Sequence, residues 1–209
     1  MRAFWISVRM TIVLTILLGL VYPLVMVVIA HVLFPHEANG TLITRDGTVV
    51  GAEVIGQNFS SSKYFHSRPS AAGNGYDASN SGGSNLGPTN KTLIDTVQKR
   101  LKDTIEAEGG VPASKVPVDM VTASGSGLDP DISPASADLQ IDRVARTRGL
   151  SPDSVRQLVE QNTTGRWAGI LGEPAVNVLD LNLALDAMSA APKAAAEAHS
   201  PAQTARAAQ

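Results

Sequence analysis

Apolar residues along this chain fall into three regimes. Residues 10–30 are an almost unbroken apolar run with no ionisable group except the Tyr22 phenol. A helix needs about 20 such residues to cross a hydrocarbon core of roughly 30 Å. Val32, Leu33 and Phe34 extend the run, so residues 10–34 are predicted to be a transmembrane helix. Pro23 removes one bond from its ladder, and Gly19 four residues earlier relieves some crowding, which predicts a kink. A cleaved secretory signal is the alternative, but the run exceeds the usual ~7–15 residues and no Ala-x-Ala-like site follows it. Arg2, Arg9 and the terminal amine precede the helix, whereas His36 and Glu37 follow it. Cations favour the cytoplasmic flank, so residues 1–9 are expected in the cytoplasm and everything past Phe34 outside a bacterial plasma (inner) membrane.

The second regime consists of short segments whose apolar positions repeat. Residues 41–44 and 48–55 are rich in β-branched side chains around Asp46-Gly47, which predicts a β-hairpin. Leu93, Val97, Leu101 and Ile105 recur every fourth position beside Ile94, an amphipathic helix over 92–108 stopped by Gly109-Gly110. Residues 116–122 alternate like a strand, with Pro117 marking an edge or a start. Ser133 as N-cap, Pro134 at the first position and Gly149 as stop bound the next helix. Arg143, Arg146 and Arg148 fall near its C-terminal end, where the helix dipole favours cations. Ser151-Pro152 opens another helix that ends near Asn162. Residues 165–174 read as a turn-rich link, 176–178 as a short strand and 179–188 as a closing helix. The third regime is poor in large apolar residues. It comprises a Gly-, Ser-, Asn- and Ala-dominated loop over 71–90, of the kind that is functional or disordered, and an Ala-rich end. The predicted fold is therefore α+β: one N-terminal transmembrane helix, a small mixed α/β extracytoplasmic domain over 35–188, and a disordered tail over 189–209.

Composition narrows the function classes. Charged residues are 17% of the chain and the formal net charge is −2, with no basic block, so nucleic acid is not expected as a partner. Aromatics are 4%, which leaves the core to Val, Ile, Leu and Ala. Cys is absent, which removes disulfides, thiolate nucleophiles and Cys-bound metals. The four His, at positions 31, 36, 66 and 199, are scattered. No catalytic residue and no metal ligand set is expected. Ser60-Ser-Ser-Lys63 fits the Ser-x-x-Lys of acyl-serine enzymes, but the Ser-Asp-Asn and Lys-Thr-Gly partners are missing, so it reads as a chance match in a Ser-rich stretch. Two loops remain. Residues 81–90 combine flexible backbone with small hydroxyl and amide groups, which can present N–H groups to an anion, pack closely on other protein, or simply form a surface loop. Residues 124–131 offer Asp129 and Asp131 beside backbone carbonyls, a candidate for a hard cation or a cap for the helix entered at Ser133.

Six blocks carry a family resemblance: residues 56–59, 64–70, 81–88, 116–134, 140–146 and 172–186. In this order, behind an N-terminal anchor, they resemble the C subunit of the bacterial high-affinity potassium-transporting ATPase, the Kdp complex, over about residues 1–188. The resemblance implies an accessory, non-catalytic subunit of a P-type complex. Its partners would be a channel-like subunit that binds potassium, a catalytic subunit that hydrolyses ATP, a small fourth subunit, and membrane lipid. Such subunits are described as assembling the complex and as catalytic chaperones that raise ATP affinity. In that account Ser81, Gly82, Gly83, Ser84 and Asn85 are likened to the signature loop of ABC transporters, and Gln140 is a nucleotide contact. ATP is implied only in this way, no cofactor is expected to bind tightly, and potassium is handled by the complex. Two alternatives need no nucleotide. In one, the outer domain covers the potassium entrance, with Asp129 and Asp131 as ion-entrance carboxylates. In the other, the chain is an independent extracytoplasmic enzyme or sugar-binding module, which its poverty in aromatics and His disfavours.

Overall fold

The computed structural model describes residues 1–45 and 47–198. The chain divides into two compact units, Met1–Ala52 and a second that starts at Glu53.

In the first unit, α1 (Arg2–Ile16), a π-helical turn (Leu17–Val21) and α2 (Tyr22–Leu33) make one continuous helix, which starts earlier than position 10. The π turn lies where the kink was predicted. The Pro23 ring crowds the carbonyl four residues earlier, that of Gly19, and brings no N–H of its own, and a π turn lets the ladder slip by one residue. No residue of α1 or α2 is buried. A short helix, α3 (Pro35–Ala38), leads to the predicted hairpin of β1 (Leu42–Arg45) and β2 (Thr48–Ala52). Leu42 faces Ala52 and Arg45 faces Thr48, with a shift between Ile43 and Thr44. Asp46 of the expected turn lies outside the described residues; Gly47 has the positive φ, 76°, that such a turn demands.

The core of the second unit is built on three helices and a small sheet, with a fourth helix, the first in chain order, outside it. Helix α4 (Lys91–Ala107) starts at an Asn90 cap whose side chain accepts the Thr92 N–H. It is amphipathic as predicted, yet none of its own residues is buried. Then come β3 (Asp131–Ile132), α5 (Pro134–Arg148), α6 (Pro152–Gln161), β4 (Thr163–Thr164), β5 (Ala175–Asn177) and α7 (Val178–Ala198). The Ser133 and Ser151 side chains accept the N–H groups of Ser136 and Ser154, and Gly149 closes α5 in the left-handed conformation, as the capping signals predicted. The strands order β3-β5-β4, all antiparallel. Val176 of β5, Ile141 and Val144 of α5, Val155 and Val159 of α6, and Leu181 and Leu185 of α7 form the core together with Phe65. Burying each is worth about 1.5–3 kcal/mol.

Two expectations change. Residues 116–122 are not a strand: they hold the 3-10 turn Val118–Met120, and a second such turn, Ala113–Lys115, comes just before them. Pro112 and Pro117 each precede one of the turns, and among the described residues no strand pairs with this segment. Asp119 instead turns back and accepts from Ser133 N–H and Oγ and from Ser136 Oγ at 2.8, 3.1 and 2.7 Å. Burial pushes its carboxyl up, but those hydrogen bonds together outweigh burial and hold it below its usual value. Helix α7 runs past Met188 to Ala198, because alanine is the best helix former. The disordered tail expected over 189–209 thus begins as helix, and its part from residue 199 on lies outside the described residues.

Candidate functional site

Gln140 sits at the polar centre of the second unit with no exposed surface. Its Oε1 accepts from the His66 N–H at 2.7 Å and from Arg143 Nη2 at 2.7 Å. Its Nε2 donates to the His66 and Ser136 carbonyls at 3.2 and 3.1 Å. A side-chain amide has two donors and two acceptor sites, and all four are engaged within the chain. Asn182 on α7 binds the preceding residue in the same way, accepting from the Phe65 N–H at 2.8 Å and donating to the Phe65 carbonyl at 3.0 Å. Two amides therefore supply the ladder bonds that Phe65 and His66, outside any strand, would otherwise lack. Burial first, and then the Arg143 charge, lowers the His66 pKa.

Arg143, expected near the helix end as a dipole cation, is buried instead. It pairs with Glu108 at 2.9 Å and donates to the Ser62 and Tyr64 carbonyls at 2.6 and 2.9 Å. Burial raises the Glu108 carboxyl, and Arg143 works against that rise. The pair fastens the end of α4 to α5. Arg148 reaches Asp186 on α7 at 2.8 Å and the Lys63 carbonyl, and the Lys63 ammonium lies over the Tyr64 ring. Neither Arg143 nor Asn182 was legible as a site residue from the sequence.

The two small-residue loops interlock. Ser81 Oγ and the Gly82 N–H both donate to the Ser126 carbonyl, at 3.0 and 2.8 Å. A methyl on Gly83 would meet the Gly125 carbonyl at 3.1 Å, and one on Gly127 would meet Ala72 N at 2.6 Å and the Gly82 carbonyl at 2.7 Å. Gly56 donates its N–H to the Leu128 carbonyl at 2.8 Å, and a methyl there would strike the Asp129 carbonyl. The glycines are thus where backbones touch. Ser84 and Asn85 are exposed, and Asn85 holds φ at 53°.

Asp129 and Asp131 part company. Asp129 pairs with Arg68 at 2.7 Å and accepts the Asp131 N–H at 3.1 Å. Asp131 faces a cleft of about 590 Å³ shared with Glu53, Asp180, Trp167 and Glu173. Burial first, then Asp129, Asp180 and Glu53, raise its carboxyl, and burial and Glu53 raise that of Asp180. Among the described residues, no three His, Cys, Asp or Glu side chains are placed to hold a metal ion. What the cleft can do is attract positive charge.

Residues 4–187 match the family model of the K+-transporting ATPase, c chain. The chain is 56% identical over 180 residues to the potassium-transporting ATPase KdpC subunit of Koribacter versatilis, covering 86% of this chain and 92% of that protein. It is 56% identical over 182 residues to the subunit of the same name from Acidobacterium capsulatum, covering 87% and 96%. For the one from Gemmatimonas aurantiaca it is 57% over 182 residues, covering 87% and 90%. With an apolar helix long enough to cross a membrane at the start of the matched stretch, this chain belongs to the family of K+-transporting ATPase C chains.

Proposed function

We propose that this chain is a non-catalytic accessory subunit that helps assemble the potassium-transporting complex and acts on its potassium-entrance side, with the N-terminus cytoplasmic and the domain outside. The observation that carries this reading is the closed Gln140 amide. A nucleotide would reach it only after His66 had come away from α5, and with it Phe65 from α7, at the cost of the hydrogen bonds that hold them. Ser81, Gly82 and Gly83 are occupied with the 124–127 loop in the same way. Meanwhile Glu53, Asp131 and Asp180 gather at one cleft, where crowded negative charge concentrates cations, potassium among them. The rise in ATP affinity expected of such subunits then reaches the ATPase subunit through contacts between subunits, not through a nucleotide on this chain. The partners are the channel-like, ATPase and small fourth subunits that the family implies.

Steady-state ATPase assays on the reconstituted complex, with ATP and potassium titrated separately, test this. Ser84→Ala with Asn85→Gly alters two exposed side chains of the loop and should move the ATP half-saturation by less than about twofold. Asp131→Asn should raise the potassium half-saturation roughly two- to fivefold, and more so at low ionic strength, where charges act over longer range. A several-fold rise in ATP half-saturation from the loop pair, in an intact complex, sinks the reading.

A further inference from the structure

Between β4 and β5 the chain leaves the body of the second unit as a short finger. Trp167, Ile170 and Leu171 at its tip are 74%, 75% and 55% exposed, and none of them joins the core. The finger is nonetheless ordered by its own bonds. The β4–β5 ladder holds its base, and Arg166 pairs with Glu173 across the neck at 2.7 Å. Trp167 and Leu171 exchange backbone hydrogen bonds at 2.8 and 3.0 Å. Between them Ala168 (φ 50°) and Gly169 (φ 77°) both occupy the left-handed region, as a tight primed hairpin turn requires. Ala168 is unfavourable there, so a strained backbone presents three large apolar side chains to water. Scattered single apolar residues need no explanation, but a contiguous rigid cluster marks an interaction site.

The surroundings of the finger select its occupant. The cleft at its foot gathers Glu53, Asp131 and Asp180, none of which is in an ion pair among the described residues. Glu173 and Arg166 neutralise each other. An anionic lipid headgroup would be repelled from such a foot, and a membrane-binding tip normally carries free Lys or Arg beside its apolar residues. A protein surface with an apolar pocket bordered by basic side chains complements both features. We propose that the 167–171 finger is a docking element that seats Trp167 and Ile170 in a basic-rimmed apolar pocket on the outer face of a partner subunit.

This inference rests on the outer-face reading above, and its test separates the two. The full chain is expressed with its partner subunits, carrying a photo-crosslinking benzoylphenylalanine in place of Ile170, and is irradiated in native membranes. The expected product is a covalent adduct to a partner subunit, with Glu53→Lys lowering its yield roughly threefold or more, since rim charges govern encounter. Trp167→Ser with Ile170→Ser should cut co-purification of that subunit about fivefold or more, as truncating a central aromatic anchor does. Both changes lie at an exposed tip, and protease resistance of the domain reports that it still folds. Adducts to lipid alone, to a second copy of this chain alone, or to no protein overturn the proposal. Ser79→Cys labelling with an impermeant maleimide, run in parallel, reports the outer location by itself. Label without adduct sinks the finger and spares the outer-face reading; absence of label from intact cells sinks the latter.

Discussion

Gln140 and Asn182 each accept an N–H from, and donate to the carbonyl of, one residue in the segment through Phe65 and His66. Phe65 is thereby held with its ring wholly inside the core, in a segment fixed from α5 by Gln140 and from α7 by Asn182. Removing the Gln140 amide would strand the His66 N–H, the His66 carbonyl and one Arg143 nitrogen in a buried setting. An unsatisfied buried group costs about 1–3 kcal/mol, and such losses within one network are not additive. Gln140→Ala should therefore destabilise the domain by about 2–4 kcal/mol, read as a lower denaturant midpoint for the full chain in detergent. Gln140→Glu keeps the acceptor beside Arg143 but loses both donated bonds, and should fall between wild type and Gln140→Ala. Weakened ATP dependence in a Gln140 variant is then expected only together with this loss of stability. An unchanged midpoint with a several-fold weaker ATP dependence would point to nucleotide contact instead.

At the scale of elements, the glycine-rich loops make a graded prediction. Gly127 combines a positive φ of 67° with contacts under 3 Å for an added methyl, Gly83 faces one carbonyl at 3.1 Å, and Gly82 faces nothing within 4 Å. The ranking of destabilisation by alanine should be Gly127 first, at about 2–4 kcal/mol, then Gly83 at about 1, with Gly82 within ~0.5. Thermal unfolding of the three variants checks it, and Gly82→Ala as the worst would show that the loops do not pack as described. The same contrast explains what was legible in the sequence. The hairpin, α4, α5 and α6 were, because caps, turn residues and apolar periodicity act over a few neighbouring positions. Residues 116–122 were misread, because alternation implies a strand only if a partner strand exists, and here Asp119 draws the segment back to the start of α5. The site was less legible. The motif blocks at 81–85 and 140 could be found in the chain, but a glutamine on a polar-looking helix gives no sign of its burial. That depends on His66, 74 residues away in sequence. The finger likewise read as a mere link, since turn signals locate a loop without saying that its tryptophan points to water.

For the whole molecule, the question is which side of the membrane holds the second unit. No side chain of α1 or α2 is buried, so lipid or partner helices must cover a helix that carries leucine, valine and isoleucine all round. Close packing in membranes relies on small residues and interhelical hydrogen bonds, and Gly19, Thr11 and Thr15 offer both. The flanks carry the proposed direction. Arg2 and Arg9 precede the apolar core of the helix, whereas His36 and Glu37 follow it, and insertion keeps Lys and Arg near the helix ends inside the cell. The chain has no cysteine, so a single Ser79→Cys at an exposed position of the 71–90 loop gives a clean probe. A membrane-impermeant maleimide should label nearly all of it in intact spheroplasts. Reversing the flank with Arg2→Glu and Arg9→Glu should lower the labelled fraction by about half or more, because little else in the chain opposes inversion. Labelling of the unaltered flank only after the membrane is permeabilised would place the domain, its acidic cleft and its apolar finger in the cytoplasm. Nucleotide would then be within reach, and the potassium-entrance reading would fail.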